Sequence, residues 1–265
     1  MIVERILAHL KHPDPPAPRD SFVPLPKMVC QAPVPDLPSI EALVLDVGGV
    51  IYDDTCWWRW LVQVLSHAGV RIRHDVLWED WESQYLCFGK RDEQTFWASL
   101  RQCLNRLGLT DSCCDEVQAA ATAQRKQCES TLLPFPGVEA TLCDLSQLQI
   151  PIDAVVGACS TSEQLGRRLR VLSLASYFHQ AISAGDHGCS LLDTSFYQQL
   201  VQQRGMVAEK VALISSKPRH LFAARRCGLI PIAVNCLGNF RTDLCLGHLA
   251  NLPGQLRYRC NRQAA

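Results

Sequence analysis

Asp46 closes a short apolar run, Ala42-Leu43-Val44-Leu45, and is followed at once by Val47-Gly48-Gly49. A run of that length without alternation fits a strand buried on both faces, and α/β sheets gather their ligands at the carboxyl ends of such strands. A carboxylate there can act as a nucleophile. A second group follows the apolar run Val211-Ala212-Leu213-Ile214, where Ser215-Ser216-Lys217-Pro218-Arg219-His220 places a cation and an imidazole at another strand end. Lys217 could neutralise charge beside Asp46, and His220 could serve as a base near neutral pH; the alternative is two solvated side chains opening a surface helix. A third group, Ala158-Cys159-Ser160-Thr161, follows Ile152-Asp153-Ala154-Val155-Val156. Its hydroxyls either meet a ligand or cap the helix that starts near Glu163. Asp53 and Asp54 offer further carboxylates close to Asp46 in sequence.

These groups need a scaffold, and the sequence outlines one. Apolar runs at 42–45, 152–156, 211–214 and 230–234 alternate with helical patterns at 163–174, 195–204 and 219–227, the last closed by Gly228. Strands alternating with helices predict a three-layer α/β domain with a doubly wound parallel sheet. Residues 55–132 break the alternation and read as several helices, an inserted helical cap. All six tryptophans lie in it, and Trp57, Leu61, Val64, Leu65 and Ala68 recur at helical spacing. The cap's own core accounts for that pattern first; an aromatic wall against a ligand, with Trp57 in it, is the alternative. The predicted boundaries are a leader at 1–39, a core at 40–54 and 133–240, the cap at 55–132 and a C-terminal tail at 241–265.

The leader holds nine of the fifteen prolines, from Pro13 to Pro38, and cannot form a regular helix there. Ahead of it, Ile2, Val3, Ile6, Leu7 and Leu10 fit a short amphipathic helix that either docks on its own domain or contacts a protein partner. With 265 residues and 48% hydrophobic composition the chain can bury a core. Equal numbers of acids and bases, 26 of each, create no field for nucleic acid or anionic lipid. No run approaches the roughly 18 apolar residues of a membrane span, and the first residues do not read as a signal peptide, so a cytoplasmic protein is expected. The fourteen cysteines contain no C-x-x-C pair and sit mostly in apolar context, which argues for buried thiols in a reducing compartment and against structural zinc.

The order of strand, Asp, Gly-Gly-Val turn, helical insert and Leu133-Pro134-Phe135-Pro136-Gly137-Val138 resembles the haloacid dehalogenase-like (HAD) hydrolase superfamily across residues 40–235. The pieces that carry the resemblance are Leu45 to Asp53, Pro134 to Val138, and Leu174-Ala175-Ser176-Tyr177-Phe178 followed by Ile182-Ser183-Ala184. The resemblance implies a nucleophilic role for Asp46. It also implies an acid two residues on, where this chain has Gly48; a Ser or Thr where Ala158 stands; a Lys where Leu191 stands; and a magnesium-holding acid where Ser216 stands. Ser215 to His220 aligns, in addition, with the Ser-Ser-Asn-x-x-Asp stretch of the metal-free 2-haloacid dehalogenases, with Lys217 for the Asn and His220 for the Asp.

Two functions follow from that resemblance. In one, the catalytic site has degenerated and the protein serves as a binding or regulatory module. In the other, it is an active phosphomonoesterase or 2-haloacid dehalogenase using Asp46 with Ser160, Lys217 and His220 as substitute groups. Gly48, Gly49, Ala158, Cys159 and Trp57 are the candidate ligand-binding positions. No cofactor is expected, magnesium entering only with the hydrolase alternative, and the expected partners are a small-molecule ligand and, through the N-terminal segment, a protein.

Overall fold

The computed structural model describes residues 39–85, 93–236, 242 and 244–256. The proline-rich leader and its helix therefore lie outside the described residues, apart from Ser39. The chain opens with β1 (Ala42–Asp46) and then enters four helices, α1 (Cys56–His67), α2 (His74–Tyr85), α3 (Glu93–Arg106) and α4 (Asp111–Ser130). It returns through α5 (Val138–Ser146), β2 (Ile152–Val156), α6 (Ser162–Val171), β3 (Gln180–Ser183) and α7 (Thr194–Arg204). It continues through β4 (Val211–Ser215), α8 (Pro218–Arg226), β5 (Ile230–Val234) and β6 (Leu244–Leu246), with a 3-10 turn at Leu249–Asn251 beyond them.

The six strands form one sheet in the order β3-β2-β1-β4-β5-β6, and every pair is parallel. Strand β1 faces β2 through Leu43 and Ile152 and faces β4 through Leu45 and Ile214. The winding direction reverses across β1, so the sheet has its topological switch point beside Asp46.

Side chains alternate across the sheet and seed two layers. Leu43 and Leu45 join Leu142, Leu145, Leu165 and Leu169 on one face. Ala42 and Val44 join Phe196, Tyr197, Leu200 and Leu221 on the other. A third apolar cluster belongs to the helices between β1 and α5, where Trp57, Trp58, Trp81 and Phe96 pack around Leu61, Leu65, Leu100 and Val117. Trp57 and Trp58 meet edge to face at 4.8 Å, and Trp81 meets Phe96 at 5.3 Å. Such contacts favour offset or perpendicular rings and account for much of the tryptophan content as internal packing.

The sheet runs past the expected end of the core. Residues 241–265 are read from sequence as a tail, yet Leu244–Leu246 pairs with Ile232 to Val234 as the sixth strand. Three residues give too little periodicity for a strand signal. Strand β3 is also missed by that reading, because its exposed start at Gln180 breaks the apolar run.

One charged pair ties the core together from beneath the sheet. Asp153, in β2, is only 2% exposed and receives the Arg204 guanidinium through Nε to Oδ2 at 2.9 Å and through a second, parallel contact. Removing one partner of a buried ion pair leaves an uncompensated charge and costs about 3–5 kcal/mol. Arg204→Met is expected to lower the free energy of urea unfolding by about that amount, and Asp153→Leu/Arg204→Met to recover most of it.

Candidate active site

Asp46 leaves the end of β1 at the switch point, 2% exposed, on the floor of a cavity between the sheet edge and the helical insert. A buried carboxylate needs donors, and it has two on one oxygen. Ser215 Oγ, from the end of β4, donates to Asp46 Oδ2 at 2.8 Å, and His220 Nδ1 stands 2.7 Å from the same atom. The backbone N–H of Lys217 in turn donates to Ser215 Oγ at 3.0 Å, which fixes the hydroxyl's orientation. Burial alone would raise the Asp46 carboxyl, but the Lys217 charge, with His220 and the Ser215 bond, outweighs it and holds the group below its ordinary 3.8. Asp46 is thus an anion at neutral pH.

The turn after β1 depends on glycine. Gly49 has φ 76°, and a Cβ there would sit 2.2 Å from Ser216 Oγ, so a side chain would strain the backbone and push the Ser216 hydroxyl aside. Asn235 Nδ2 donates to the Gly49 carbonyl at 3.2 Å and holds the turn from the neighbouring strand end.

Gly48 is conventional in backbone and instructive in surroundings. A Cβ on it would lie 2.1 Å from Asp54 Oδ2 and 2.7 Å from Asp54 Cγ. The carboxylate of Asp54 therefore fills the volume that a side chain at 48 would need. Lys217 Nζ donates to Asp54 Oδ2 at 2.7 Å and lies 5.2 Å from the centre of the Trp78 ring. The Lys217 cation and the Asp54 carboxylate thus line the same cavity as Asp46, bonded to each other.

The other sequence candidates separate. His220, expected to be solvated or a base, is buried at 4% against Asp46, and Lys217 is half-buried, so neither is a free surface group. Thr161 is a cap: its Oγ1 accepts from the Gln164 N–H at 3.1 Å, and Gln164 Oε1 accepts from the Thr161 N–H at 3.0 Å. Ser160 does not cap; its Oγ accepts from Arg168 Nη1 at 2.9 Å within the cavity wall. Ala158 is buried and, like Cys159, lines the cavity, and the Cys159 carbonyl accepts from Arg125 Nη2 at 3.0 Å, bridging core and insert. Trp57 lines the cavity, but its Nε1 donates to the Ala121 carbonyl at 2.9 Å within the insert. Leu191 is buried in the second core layer.

Three arginines in one short helix, Arg167, Arg168 and Arg170, would suit a solvated face, but the Arg168 side chain is 17% exposed and also donates to Glu129 Oε1 at 2.7 Å. The signal was present: Arg168 lies three residues after Leu165 and one before Leu169, on the buried side of α6. Arg125, whose guanidinium lies 4.5 Å from the Phe96 ring centre, carried the same signal, four residues after the buried Ala121 of α4.

Magnesium takes hard anionic oxygens in a near-octahedral array. Here Asp46 Oδ2 is taken by His220 and Ser215, Asp54 is bonded to Lys217, and Ser216 Oγ donates to the Gly48 carbonyl at 3.3 Å. Among the described residues no group of three His, Cys, Asp or Glu side chains is arranged to hold a metal. The donor set does not fit the ion.

Gly48→Asp is expected to collide with Asp54, release Lys217 and destabilise the fold by about 1–3 kcal/mol; Asp54→Gly in the same chain should relieve most of it, read as a double-mutant cycle in urea. The depressed Asp46 carboxyl sets a pH dependence as well. Its contribution is fully present above about pH 4 and is lost as pH falls through the lower folded value, so wild type should lose more stability than Asp46→Asn on acidification.

Comparison of the sequence with family models and with curated proteins finds no match. Comparison of structures finds many. An L-2-haloacid dehalogenase superposes with a TM-score of 0.65 at 17% identity, covering 83% of this chain and 100% of the other. The L-2-haloacid dehalogenase of Xanthobacter autotrophicus gives 0.59 at 16%, covering 83% and 99%. A predicted phosphoglycolate phosphatase from Haemophilus somnus gives 0.61 at 10%, covering 82% and 97%. At these identities the likeness is one of architecture, and the six-stranded parallel sheet with its helical insert is the haloacid dehalogenase-like hydrolase fold.

Proposed function

We propose that this protein is a HAD-fold binding or regulatory module in which the machinery for phosphoryl transfer has been dismantled. The observation that carries the reading is the Lys217–Asp54 pair in the space opened by Gly48. The cation that would neutralise a bound phosphoryl group is held by an internal carboxylate, and that carboxylate is bonded rather than poised to protonate a leaving group. Each acid lining the cavity has a basic partner: Asp46 with His220, Asp53 with Arg59, Asp54 with Lys217 and Glu129 with Arg168. Arg125 lines the cavity as well, 3.9 Å from the same Glu129 and donating to the Cys159 carbonyl, so each cation there already has an internal contact. Losing a charge-stabilising or proton-transferring group typically costs about 100- to 1,000-fold in rate.

The cavity itself is retained, at about 1110 Å³, with Trp57, Trp58, Trp78 and Phe96 along the insert side. That combination fits a small molecule less anionic than a phosphomonoester, bound by apolar contact and a few directed polar groups. We assign any protein contact to the 1–39 leader. Among the described residues no helix is long and apolar enough to cross a membrane.

A second reading has its own support. Asp46 is ionised, lines the cavity and receives both of its donors on Oδ2. A metal-free attack on a carbon bearing a halide needs no acid two residues on, because a halide leaves without a proton. His220 would then stand beside the resulting ester as a base.

Thermal shift against phosphate esters, 2-haloacids and neutral metabolites, paired with turnover assays, separates the readings. The binding module predicts stabilisation by a neutral or monoanionic compound with no turnover and no effect of added magnesium. Turnover of a phosphate ester that is abolished in Asp46→Asn would overturn it; turnover of a haloacid with the same sensitivity would install the second reading.

A further inference from the structure

Arg125, on α4, lines the insert side of the cavity together with Trp57, Trp58 and Phe96. Its guanidinium is held from two directions. Nη2 donates to the Cys159 carbonyl of the core at 3.0 Å, and the group lies 4.5 Å from the centre of the Phe96 ring and 6.0 Å from that of Trp97. With only 19% of the side chain exposed, the planar fork is fixed in place before any ligand arrives. Nη1 is different: it is buried and meets no acceptor among the described residues. A buried donor on a charged group is costly to leave unpaired, so the site calls for an acceptor from outside the chain.

The charges around Arg125 point the same way. Asp46, Asp53 and Asp54 each face one basic side chain, His220, Arg59 and Lys217 in turn. Glu129 serves two. Arg168 Nη2 holds its Oε1 at 2.7 Å, while Arg125 Nε stands 3.9 Å from the same oxygen, and the Glu129 side chain is 44% exposed. Two guanidiniums sharing one partly solvated carboxylate leave one unit of positive charge beside the aromatic wall.

We propose that Arg125 anchors the carboxylate of a small monocarboxylic acid through Nη1, and that the acid's aromatic or apolar body lies along Phe96, Trp57 and Trp58. Wall and anchor are contiguous, since the Phe96 ring lies 5.7 Å from Trp57 and Trp57 meets Trp58 at 4.8 Å. A carboxylate matches the charge count and the planar fork. A phosphate dianion exceeds that charge, and a neutral amide leaves it unmet. The inference rests on the cavity being a small-molecule site and narrows its ligand to an apolar monocarboxylate.

Phenylacetate and phenylacetamide share a body and differ at the group that Arg125 reads. Calorimetric titration of the full chain with each at neutral pH is expected to give phenylacetate the lower Kd by about tenfold or more, the range of a hydrogen bond to a charged group. In Arg125→Met that ratio should fall to about one while the Kd of the amide changes little, a pattern that loss of folding does not produce. Arg125→Lys, which keeps the charge without the fork, should retain part of the ratio. Equal affinity for the two compounds in the wild type, or a ratio untouched by Arg125→Met, overturns the anchor and leaves the cavity as a site for neutral ligands. Binding of neither compound, together with turnover of phenyl phosphate that is abolished in Asp46→Asn, overturns the anchor and the binding-module reading together.

Discussion

A single buried charge organises the centre of this molecule. Asp46 cannot be removed from water as an anion without compensation, and the compensation propagates outward. Ser215 and His220 meet its carboxylate directly, while Lys217 supplies longer-range positive charge from the start of α8. Lys217 then needs a partner of its own, which is Asp54, and Asp54 needs volume, which Gly48 provides by having no side chain. The chain of requirements ends at a position that is filled by having no side chain. Glycine at 48, lysine at 217 and histidine at 220 are thereby coupled to one another as one self-consistent solution to burying an aspartate.

Much of the scaffold was legible because burial on both faces of a parallel sheet writes itself into sequence. The runs at 42–45, 152–156, 211–214 and 230–234 each became a strand within a residue of the expected limits. Strands β3 and β6 were illegible for the opposite reason, being short and partly exposed at the outer positions of the sheet. Within the site, Asp46 could be found from its place at a strand end. The contact between Lys217 and Asp54 could not, since it joins residues 163 apart through a geometry that only the assembled sheet creates. Arg168 lay between these cases, since its helical phase was readable but its charge suggested solvent.

The helical insert shows how a packed layer can serve two purposes. Its tryptophans fill its own interior, yet the same rings of Trp57, Trp58 and Trp78 form one wall of the cavity. Arg125 and Arg168 then stitch that wall to the core through the Cys159 carbonyl, Ser160 and Glu129. These are polar contacts in a largely apolar seam, which favours one relative placement of the two parts over others.

The order of strands in the sheet also bears on how the chain reaches its native state. Strand β1 lies at the centre, but it is the first described strand to be made, and its neighbours β2 and β4 come long after it. The hydrogen bond between Ser215 and Asp46 closes a separation of 169 residues. Closing loops of that length costs entropy before any contact repays it, and folding rates fall as contacts become less local. The helices of the insert make near-neighbour contacts and can form early, while an apolar β1 waits beside them for its partners. Slow assembly with a transiently exposed hydrophobic strand is the kinetic counterpart of a site built from distant segments.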